Sequence, residues 1–393
     1  MKYNGIVIAD LHVGVMDLNK FHEEFNGILI SEIQKMKKLD FLIIAGDYFD
    51  HKFYLNDRES TMAYYMLNEL IDACKEKNTE IRIVYGTESH ECNQYDILSL
   101  LKIYDKIRVI KQVTEEELLP GLNVLYLPEE HILDKSEYYK EYFENDKKYD
   151  YVFGHGVIRE VMKDIAVHID TSSNTKRKKV PVFTTAELNK ICKGQVFFGH
   201  YHINQNINDK YFSIGSFSRW KFGEEGVKGY YKLNCKPDKE EYEAIHIENT
   251  MAQSFKTIGY GYDSDIFKNE ETLQNTLNRI DKMVSDDVFD NVRFEFNIPN
   301  TIENPEATIN YLKERYKFKK NIKVEITHGY IEEKKERQKT EIQKENEKYS
   351  FIFNKSLPLE EVVSRFITIE YDKNIPTDRV DKYMNSPLTD ILN

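Results

Sequence analysis

The sequence predicts an α/β protein whose core is built of layered sheets and helices. Three observations support this prediction. Short apolar runs alternate with helical stretches in the first part of the chain, several of these runs end in polar pairs, and the later part has strands without helices between them. The chain has 393 residues, of which 40% are hydrophobic, so it suits two or three domains and is neither fully disordered nor fibrous.

Residues 1–250 predict one large domain. Its predicted strands are four to six residues long and bounded by polar or glycine residues, which is typical of buried strands. The predicted strands are 6–9, 40–45, 80–85, 107–110, 123–127, 149–153, 195–198, 230–233 and 242–247. The predicted helices are 19–37, 56–77 and 95–102.

Residues 251–330 predict a small α+β domain, and residues 331–393 a charged linker followed by C-terminal helices. In the small domain, helices 270–284 and 305–316 alternate with strands 292–298 and 322–326, whose apolar residues lie on one face. Segment 332–348 is nearly all charged or amide, which indicates a solvated helix or a mobile linker. An amphipathic helix follows, with apolar positions Leu359, Val362, Val363, Phe366 and Ile367. This helix either binds a partner or packs on the small domain.

Charge and composition exclude some classes of protein. The 55 Lys+Arg and 67 Asp+Glu residues give a net charge of −12, a mild argument against a nucleic-acid partner. The four cysteines form no C-x-x-C pair, which favours reduced thiols in a cytoplasm. Apolar runs such as 41–45 are too short for a membrane span, and the chain begins with a strand-like run instead of a signal peptide. We therefore expect a cytoplasmic protein.

Five polar motifs follow predicted strands. They are Asp10-Leu11-His12, Gly46-Asp47, Ser89-His90, Gly154-His155 and Gly199-His200-Tyr201-His202. Each motif alone is common, but ligands in α/β sheets bind outside the carboxyl ends of strands, so the ordered set predicts one shared site. Carboxylates and imidazoles without thiolates suit Mn²⁺, with Mg²⁺, Fe²⁺ or Zn²⁺ as alternatives. Their number suits two divalent ions, which together can catalyse phosphoryl displacement.

These motifs resemble the signature of the calcineurin-like metallophosphoesterases and, within that group, the SbcD-type nucleases of DNA double-strand-break repair. Gly215-Ser216, Phe222-Gly223-Glu224 and Lys228-Gly229-Tyr230 resemble the pattern that follows the last histidine motif in SbcD-type chains. The resemblance covers residues 1–247 by motif and rests on layout beyond them. It implies a two-layered β-sheet sandwich flanked by helices (the metallophosphoesterase fold), a small α+β capping domain that binds DNA, and a helical C-terminal tail.

The resemblance also implies roles for the motif residues. Asp10, His12 and His202 would bind one ion, Asp47 would bridge both ions, and His155 and His200 would bind the second. His90 would be catalytic, stabilising the transition state and protonating the leaving oxygen. Asp50, three residues after Asp47, would support catalysis by orienting a ligand histidine.

The run from Gly86 to Glu91 departs from the family pattern. The family has Gly-Asn-His, whereas this chain has Gly86-Thr87-Glu88-Ser89-His90. Ser89 stands in the position of the asparagine ligand, and a hydroxyl is a poorer ligand than an amide. Ser89 binds weakly, or Glu88, Thr87 or a water replaces it, so we expect the second ion to bind less tightly.

The resemblance implies a Mn²⁺-dependent DNA exonuclease and endonuclease in a bacterial or phage-infected cell. It would be a homodimer and would bind an SbcC-like coiled-coil ATPase through its C-terminal helix. The alternatives are a metallophosphoesterase acting on nucleotides or phosphoproteins, and a nuclease-silent repair scaffold. The basic run Lys176, Arg177, Lys178 and Lys179 either contacts DNA phosphates or is a solvated loop. Arg219 and Trp220 are candidates for the rim of the site.

Overall fold

The computed structural model describes residues 1–54, 57–101, 103–132, 134–161, 180, 182–260, 270–285, 290–298, 305–316, 322–328 and 357–371. The basic run Lys176, Arg177, Lys178 and Lys179 and the charged segment 332–348 lie outside these residues. The two predictions made for them therefore stay predictions.

The strands are β1 (Tyr3–Ile8), β2 (Phe41–Ala45), β3 (Glu80–Val84), β4 (Ile107–Ile110), β5 (Thr114–Leu119), β6 (Leu122–Leu127), β7 (Tyr149–His155), β8 (Val157–Ile158), β9 (Val182–Phe183), β10 (Cys192–Gly199), β11 (Gln205–Ile207), β12 (Tyr211–Ser213), β13 (Gly229–Lys236), β14 (Glu241–Glu248), β15 (Phe255–Tyr260), β16 (Asn291–Ile298) and β17 (Ile322–His328). The helices are α1 (Leu18–Glu24), α2 (Ser31–Lys35), α3 (Arg58–Glu76), α4 (Glu88–Glu91), α5 (Asp96–Leu101), α6 (Lys135–Tyr138), α7 (Lys140–Phe143), α8 (Thr185–Ile191), α9 (Glu270–Ser285), α10 (Pro305–Tyr316) and α11 (Leu359–Tyr371).

Two six-stranded sheets form the core of the first part of the chain. The strand order is β14-β13-β1-β2-β3-β4 in the first sheet and β11-β12-β10-β7-β6-β5 in the second. Strands β1 to β4 run parallel to one another, as do β6, β7, β10 and β12. Strands β13, β14, β5 and β11 pair antiparallel at the margins. Each sheet therefore has a parallel centre whose carboxyl ends share one edge.

Apolar side chains on both faces of each sheet build three cores. Strand residues such as Phe41 and Tyr151 meet between the two sheets, with ring centroids 6.1 Å apart. The outer face of the first sheet packs on the helices of 18–76, and the outer face of the second packs on α7, α8 and the segment around Phe183. Burial of each large apolar side chain stabilises the fold by about 1.5–3 kcal/mol. The prediction of an α/β protein with sheets flanked by helices is confirmed at this level.

The chain divides into two compact units. The first comprises Met1–Thr257 and Asp286–Arg293, and the second Ile258–Ser285 and Phe294–Asn393. A third sheet has the order β15-β16-β17, and α9 and α10 alternate with its strands along the chain, as predicted. In α11, Val362 and Val363 are half-buried and Phe366 is 40% exposed. No helix in the described residues combines the length and apolar character that a membrane crossing requires.

Some elements differ from the prediction. The single predicted helix 19–37 is α1 and α2 joined by a π-helical segment, Phe25–Ile30. Strand β5 was not predicted because it carries three consecutive glutamates, which is unusual for a strand but compatible with the edge of a sheet. Helix α8 was not predicted either, although Thr184 and Glu187 form a capping box at its start.

Candidate metal centre

The predicted motif residues lie at the shared edge of the two sheets. Asp10 follows β1 and Asp47 follows β2 in the first sheet, whereas His155 ends β7 and His200 follows β10 in the second. Asp10, Asp47 and His200 have positive φ angles of 49°, 50° and 98°, a conformation that is uncommon for residues other than glycine. Such backbone strain clusters at functional sites, where the surrounding structure maintains it.

The first group that could hold a metal ion consists of Asp10, His12 and His202. The Nε2 atoms of His12 and His202 face each other at 3.2 Å, and His202 Nε2 lies 4.0 Å from Asp10 Oδ1. Asp50 Oδ1 lies 3.1 Å from His12 Nδ1, and Glu224 Oε1 lies 2.6 Å from His202 Nδ1. Each carboxylate thus orients an imidazole, so that both Nε2 atoms point into the group.

The segment after the last histidine motif supports His202. Lys228 is buried, and its Nζ donates hydrogen bonds to the His202 carbonyl at 2.7 Å and to Ser216 Oγ at 2.7 Å. Burial lowers the pKa of Lys228 to about 8. The rings of His12 and His202 pack against Trp220, at centroid distances of 5.0 and 4.8 Å. The position predicted for Trp220, at the rim of the site, therefore adjoins both imidazoles of the first group.

The second group that could hold a metal ion consists of Asp47, His155 and His200. His155 is fully buried, and its Nδ1 donates to the Ala45 carbonyl at 2.8 Å, which leaves Nε2 directed into the group. That Nε2 makes no hydrogen bond of normal geometry, although Asp47 Oδ2 lies only 3.2 Å away. A buried nitrogen without a hydrogen-bond partner is expensive, and a cation there would satisfy it.

Glycine residues permit this close packing. Gly46 has a φ of 88°, and a Cβ atom there would lie 2.0 Å from His155 Nδ1. A Cβ atom on Gly86 would lie 2.3 Å from Asp47 Oδ1. Any side chain at either position would displace a residue of the second group.

Glu129 lies beside the second group and was not predicted from the sequence. It follows β6, and its side chain is buried to 1% exposure. Its Oε2 lies 3.0 Å from His200 Nδ1 and 3.5 Å from His155 Nε2. The signal that could have found it was present, because strand 123–127 was predicted and Glu129 follows its carboxyl end at the same sheet edge.

Opposite charges dominate the second group. Burial alone would raise the pKa of Asp47, but the charges of His155, His12 and His90 outweigh burial and lower it. Burial would likewise raise the pKa of Glu129, but His200 and His155 lower it. Burial would lower the pKa of His155, but Asp47 chiefly, with Glu129, raises it to about 10. Both carboxylates are therefore ionised, and a positive charge between them is favourable.

The loop from Gly86 to Glu91 places Thr87, and not Ser89, beside the second group. Thr87 N donates to Asp47 Oδ1 at 2.7 Å, and Thr87 Oγ1 lies 3.2 Å from Asp47 Oδ2 and 3.0 Å from Glu129 Oε2. Ser89 is exposed in α4, and it lines a groove of about 730 Å³ that Thr87 and Glu129 also line. Among the described residues, no hydrogen bond links Ser89 to the second group, and its assignment as a ligand stays a prediction.

His90 and Asp50 lie on the side of the first group. His90 Nδ1 hydrogen-bonds the Asp50 carbonyl, and its ring centroid lies 4.8 Å from that of His12. His12, Asp50 and His90 form a third group that could hold a metal ion. Burial would raise the pKa of Asp50, but hydrogen bonds from His12 and His51 lower it. Asp50 is thus a positioning residue, since its carboxylate orients His12 and its carbonyl orients His90.

Comparisons with known proteins give matches among solved structures only. No protein-family model matches the sequence, and no curated protein matches it. Among solved structures, 28 chains match. One of them, a crystal structure, aligns with a TM-score of 0.34 and 13% identity, over 63% of this chain and 99% of that one. A likeness this weak supports no argument about fold or function.

Proposed function

We propose that this chain is a metal-dependent DNA nuclease of the SbcD type, with a metallophosphoesterase fold that uses two divalent ions, of which Mn²⁺ suits the ligands best. One observation carries the proposal. Oδ2 of Asp47 lies 3.2 Å from His155 Nε2 and 3.7 Å from His12 Nε2, so one carboxylate oxygen faces imidazoles of both metal-holding groups. A carboxylate shared between two ligand groups would hold two ions close together, and two ions about 3.5–4 Å apart can stabilise both oxygens of an in-line phosphoryl displacement.

The residues present fit two ions. Ligand atoms about 2.1 Å from one ion lie about 3.0 Å apart when at right angles and about 4.2 Å apart when opposite. The facing Nε2 atoms of His12 and His202 are 3.2 Å apart, and Asp47 Oδ2 and His155 Nε2 are also 3.2 Å apart. Mixed carboxylate and imidazole ligands without thiolates suit Mn²⁺, with Fe²⁺, Mg²⁺ and Zn²⁺ as alternatives.

The chain's own residues would then perform the proton transfer and the positioning. Two bound ions would supply Lewis acidity toward the phosphate and toward an attacking water. His90 Nδ1 is engaged by the Asp50 carbonyl, so Nε2 is the ring atom available to pass a proton to the leaving oxygen. Asp50 fixes the orientation of both His12 and His90, because its carboxylate contacts the first imidazole and its backbone carbonyl contacts the second.

The DNA substrate rests on the sequence motifs that resemble SbcD-type chains. The same resemblance supports a homodimer, and a partner ATPase that binds α11. The net charge of −12 does not oppose a phosphate substrate at the site, since bound cations would offset Asp10 and Asp47. It does predict weak DNA affinity for the isolated chain.

The test is cleavage of single- and double-stranded DNA by the purified chain with Mn²⁺, Mg²⁺, Fe²⁺ or Zn²⁺. We expect cleavage with Mn²⁺ and none with EDTA, and we expect His90→Ala to lose cleavage while still binding Mn²⁺. Hydrolysis of small phosphodiesters or phosphopeptides with intact DNA, with and without an ATPase partner, would overturn the nuclease proposal. Absence of any hydrolysis would favour a scaffold.

The partner proposal has a separate test. Deletion of residues 357–393 removes α11 and is expected to abolish co-purification with a coiled-coil ATPase encoded beside this chain, while metal-dependent cleavage persists. Retained co-purification would place the partner surface elsewhere.

A further inference from the structure

We infer that Glu129 is a direct ligand of the second metal ion, in place of the amide ligand that this chain lacks. The second group would then consist of Asp47, Glu129, His155 and His200, and its ligand would be a hard-to-borderline divalent cation such as Mn²⁺. This inference rests on the proposed two-metal site and specifies its composition.

The positions of the atoms carry the inference. Glu129 Oε2 lies 3.0 Å from His200 Nδ1 and 3.5 Å from His155 Nε2. The spacing of 3.5 Å to His155 Nε2 falls in the range expected for neighbouring ligands of one ion, about 3.0 Å at right angles and about 4.2 Å when opposite. His155 Nε2 is buried without a hydrogen bond of normal geometry between the Asp47 and Glu129 carboxylates. A cation bound at this nitrogen would have a carboxylate oxygen of Asp47 and one of Glu129 as its neighbours.

Contacts with neighbouring residues fix the orientation of the Glu129 carboxylate, as is usual for a metal-ligating carboxylate. Its Oε1 lies 3.4 Å from His131 Nε2, and its backbone N–H donates to the Tyr85 carbonyl at 3.1 Å. Thr87 Oγ1 lies 3.0 Å from Oε2 and 3.2 Å from Asp47 Oδ2. The Thr87 hydroxyl thus lies between the two carboxylates of the group and shares its one proton between them. Outer contacts of this kind fix the orientation of metal-ligating carboxylates.

A structural role alone does not explain this carboxylate. Its side chain is only 1% exposed, and within the described residues no lysine or arginine pairs with it. A buried carboxylate is costly unless it is paired or coordinates a metal, and two of its three histidine neighbours, His155 and His200, are themselves predicted ligands. The strand-end position of Glu129, in the second sheet, also matches that of Asp47 in the first.

With Glu129 as a ligand, the second ion is no longer expected to bind less tightly than the first. Loss of the asparagine ligand predicts a weak second ion, but a carboxylate in its place adds one negative charge to the group. An anionic oxygen attracts a divalent cation more strongly than an amide oxygen does. The second ion is therefore expected to bind at least as tightly as the first.

The experiment is a titration of the metal-free full-length chain with Mn²⁺ alone, followed by calorimetry and by low-temperature EPR. The wild type is expected to bind two Mn²⁺ and to show the signal of a spin-coupled pair. Glu129→Ala is expected to bind one Mn²⁺ over the same range and to show an uncoupled signal. The matched control is Glu130→Ala, because Glu130 is the next residue and contacts Val113 N and Tyr138 instead.

Glu129→Gln keeps the size of the side chain and loses only its charge, so it guards against a folding defect in the alanine variant. We expect it to weaken the second Mn²⁺ by more than about 100-fold, which exceeds the range of about 10–100-fold for a carboxylate that only orients a ligand. Two Mn²⁺ bound by Glu129→Ala, with both affinities within about twofold of the wild type, would overturn the inference and leave the two-metal proposal intact. A wild type that binds no Mn²⁺ would overturn both.

Discussion

The two metal-holding groups differ in how their imidazoles are oriented. In the first group, side-chain carboxylates orient His12 and His202 from outside, through Asp50 and Glu224. In the second group, the Ala45 carbonyl orients His155, and the carboxylates of Asp47 and Glu129 face its other nitrogen. In the first group, the carboxylates of Asp50 and Glu224 therefore contact the Nδ1 atoms, on the side of the rings away from the group. In the second group, the Glu129 carboxylate faces His155 Nε2, the nitrogen directed into the group. This difference predicts tighter Mn²⁺ binding at the second group and greater dependence of the first on its supporting residues.

The largest expected effect comes from the residue that both groups share. Asp47→Asn removes the charge that faces His12 and His155, so both ions lose a ligand charge. We expect Mn²⁺-dependent DNA cleavage to fall by about 10³-fold, which corresponds to several kcal/mol of transition-state stabilisation. Cleavage rates at saturating Mn²⁺ provide the measurement.

The control for Asp47→Asn is Glu91→Gln. Glu91 is a fully buried carboxyl near the second group, and burial raises its pKa to about 8, so it is protonated at neutral pH. Glutamine matches the neutral acid in shape, and cleavage should stay within about twofold of the wild type. A comparable loss in both variants would show that Asp47 acts through folding alone.

The second group should make the metal-free protein sensitive to pH. The pKa of His155 is raised from 6.5 to about 10, so its contribution to stability is fully present below pH 6.5 and is lost as the pH rises to about 10. The advantage of the wild type over His155→Gln in EDTA should therefore shrink across this range, by a few kcal/mol. Urea unfolding at several pH values measures it. A constant difference would contradict the charged Asp47–His155 pair.

Substitution of Asp50 or Glu224 tests whether Mn²⁺ binding at the first group depends on its supporting carboxylates. Glu224→Gln removes the charge behind His202, and Asp50→Asn removes the charge behind His12. We expect either variant to weaken one Mn²⁺ by about 10–100-fold and to leave the other unchanged. Glu225→Gln is the matched control, since Glu225 contacts Lys256 and Thr257 instead. Equal weakening of both ions would show that the groups do not respond separately.

The smallest effect is expected at Ser89. This residue is exposed in α4, and Thr87 occupies the place beside Asp47. Surface substitutions change free energies by about 0.5 kcal/mol or less, so Ser89→Ala should alter both Mn²⁺ affinities by no more than about twofold. Loss of the second ion in this variant would restore Ser89 as a ligand and weaken the case for Glu129.

Most of the fold followed from local patterns. The parallel strands β1, β2, β3, β7 and β10 were predicted within a few residues, because strands buried on both faces must be short apolar runs. Strand β5 escaped prediction because its glutamates interrupt the apolar pattern at the edge of the second sheet. The π-helical segment Phe25–Ile30 also escaped, since its composition does not differ from that of an ordinary helix.

The sequence alone determined which residue types stand at the strand ends, and this suffices to predict a metal-holding edge that includes Asp10, Asp47, His155 and His200. Only the tertiary structure decided which side chains support them. Glu129 meets Thr87 across 42 residues of chain, and Glu224 meets His202 across 22. No local pattern encodes such pairs, because they arise only when the two sheets bring their carboxyl ends to one edge. The same packing leaves Ser89 exposed and places Glu129 beside His155 and His200.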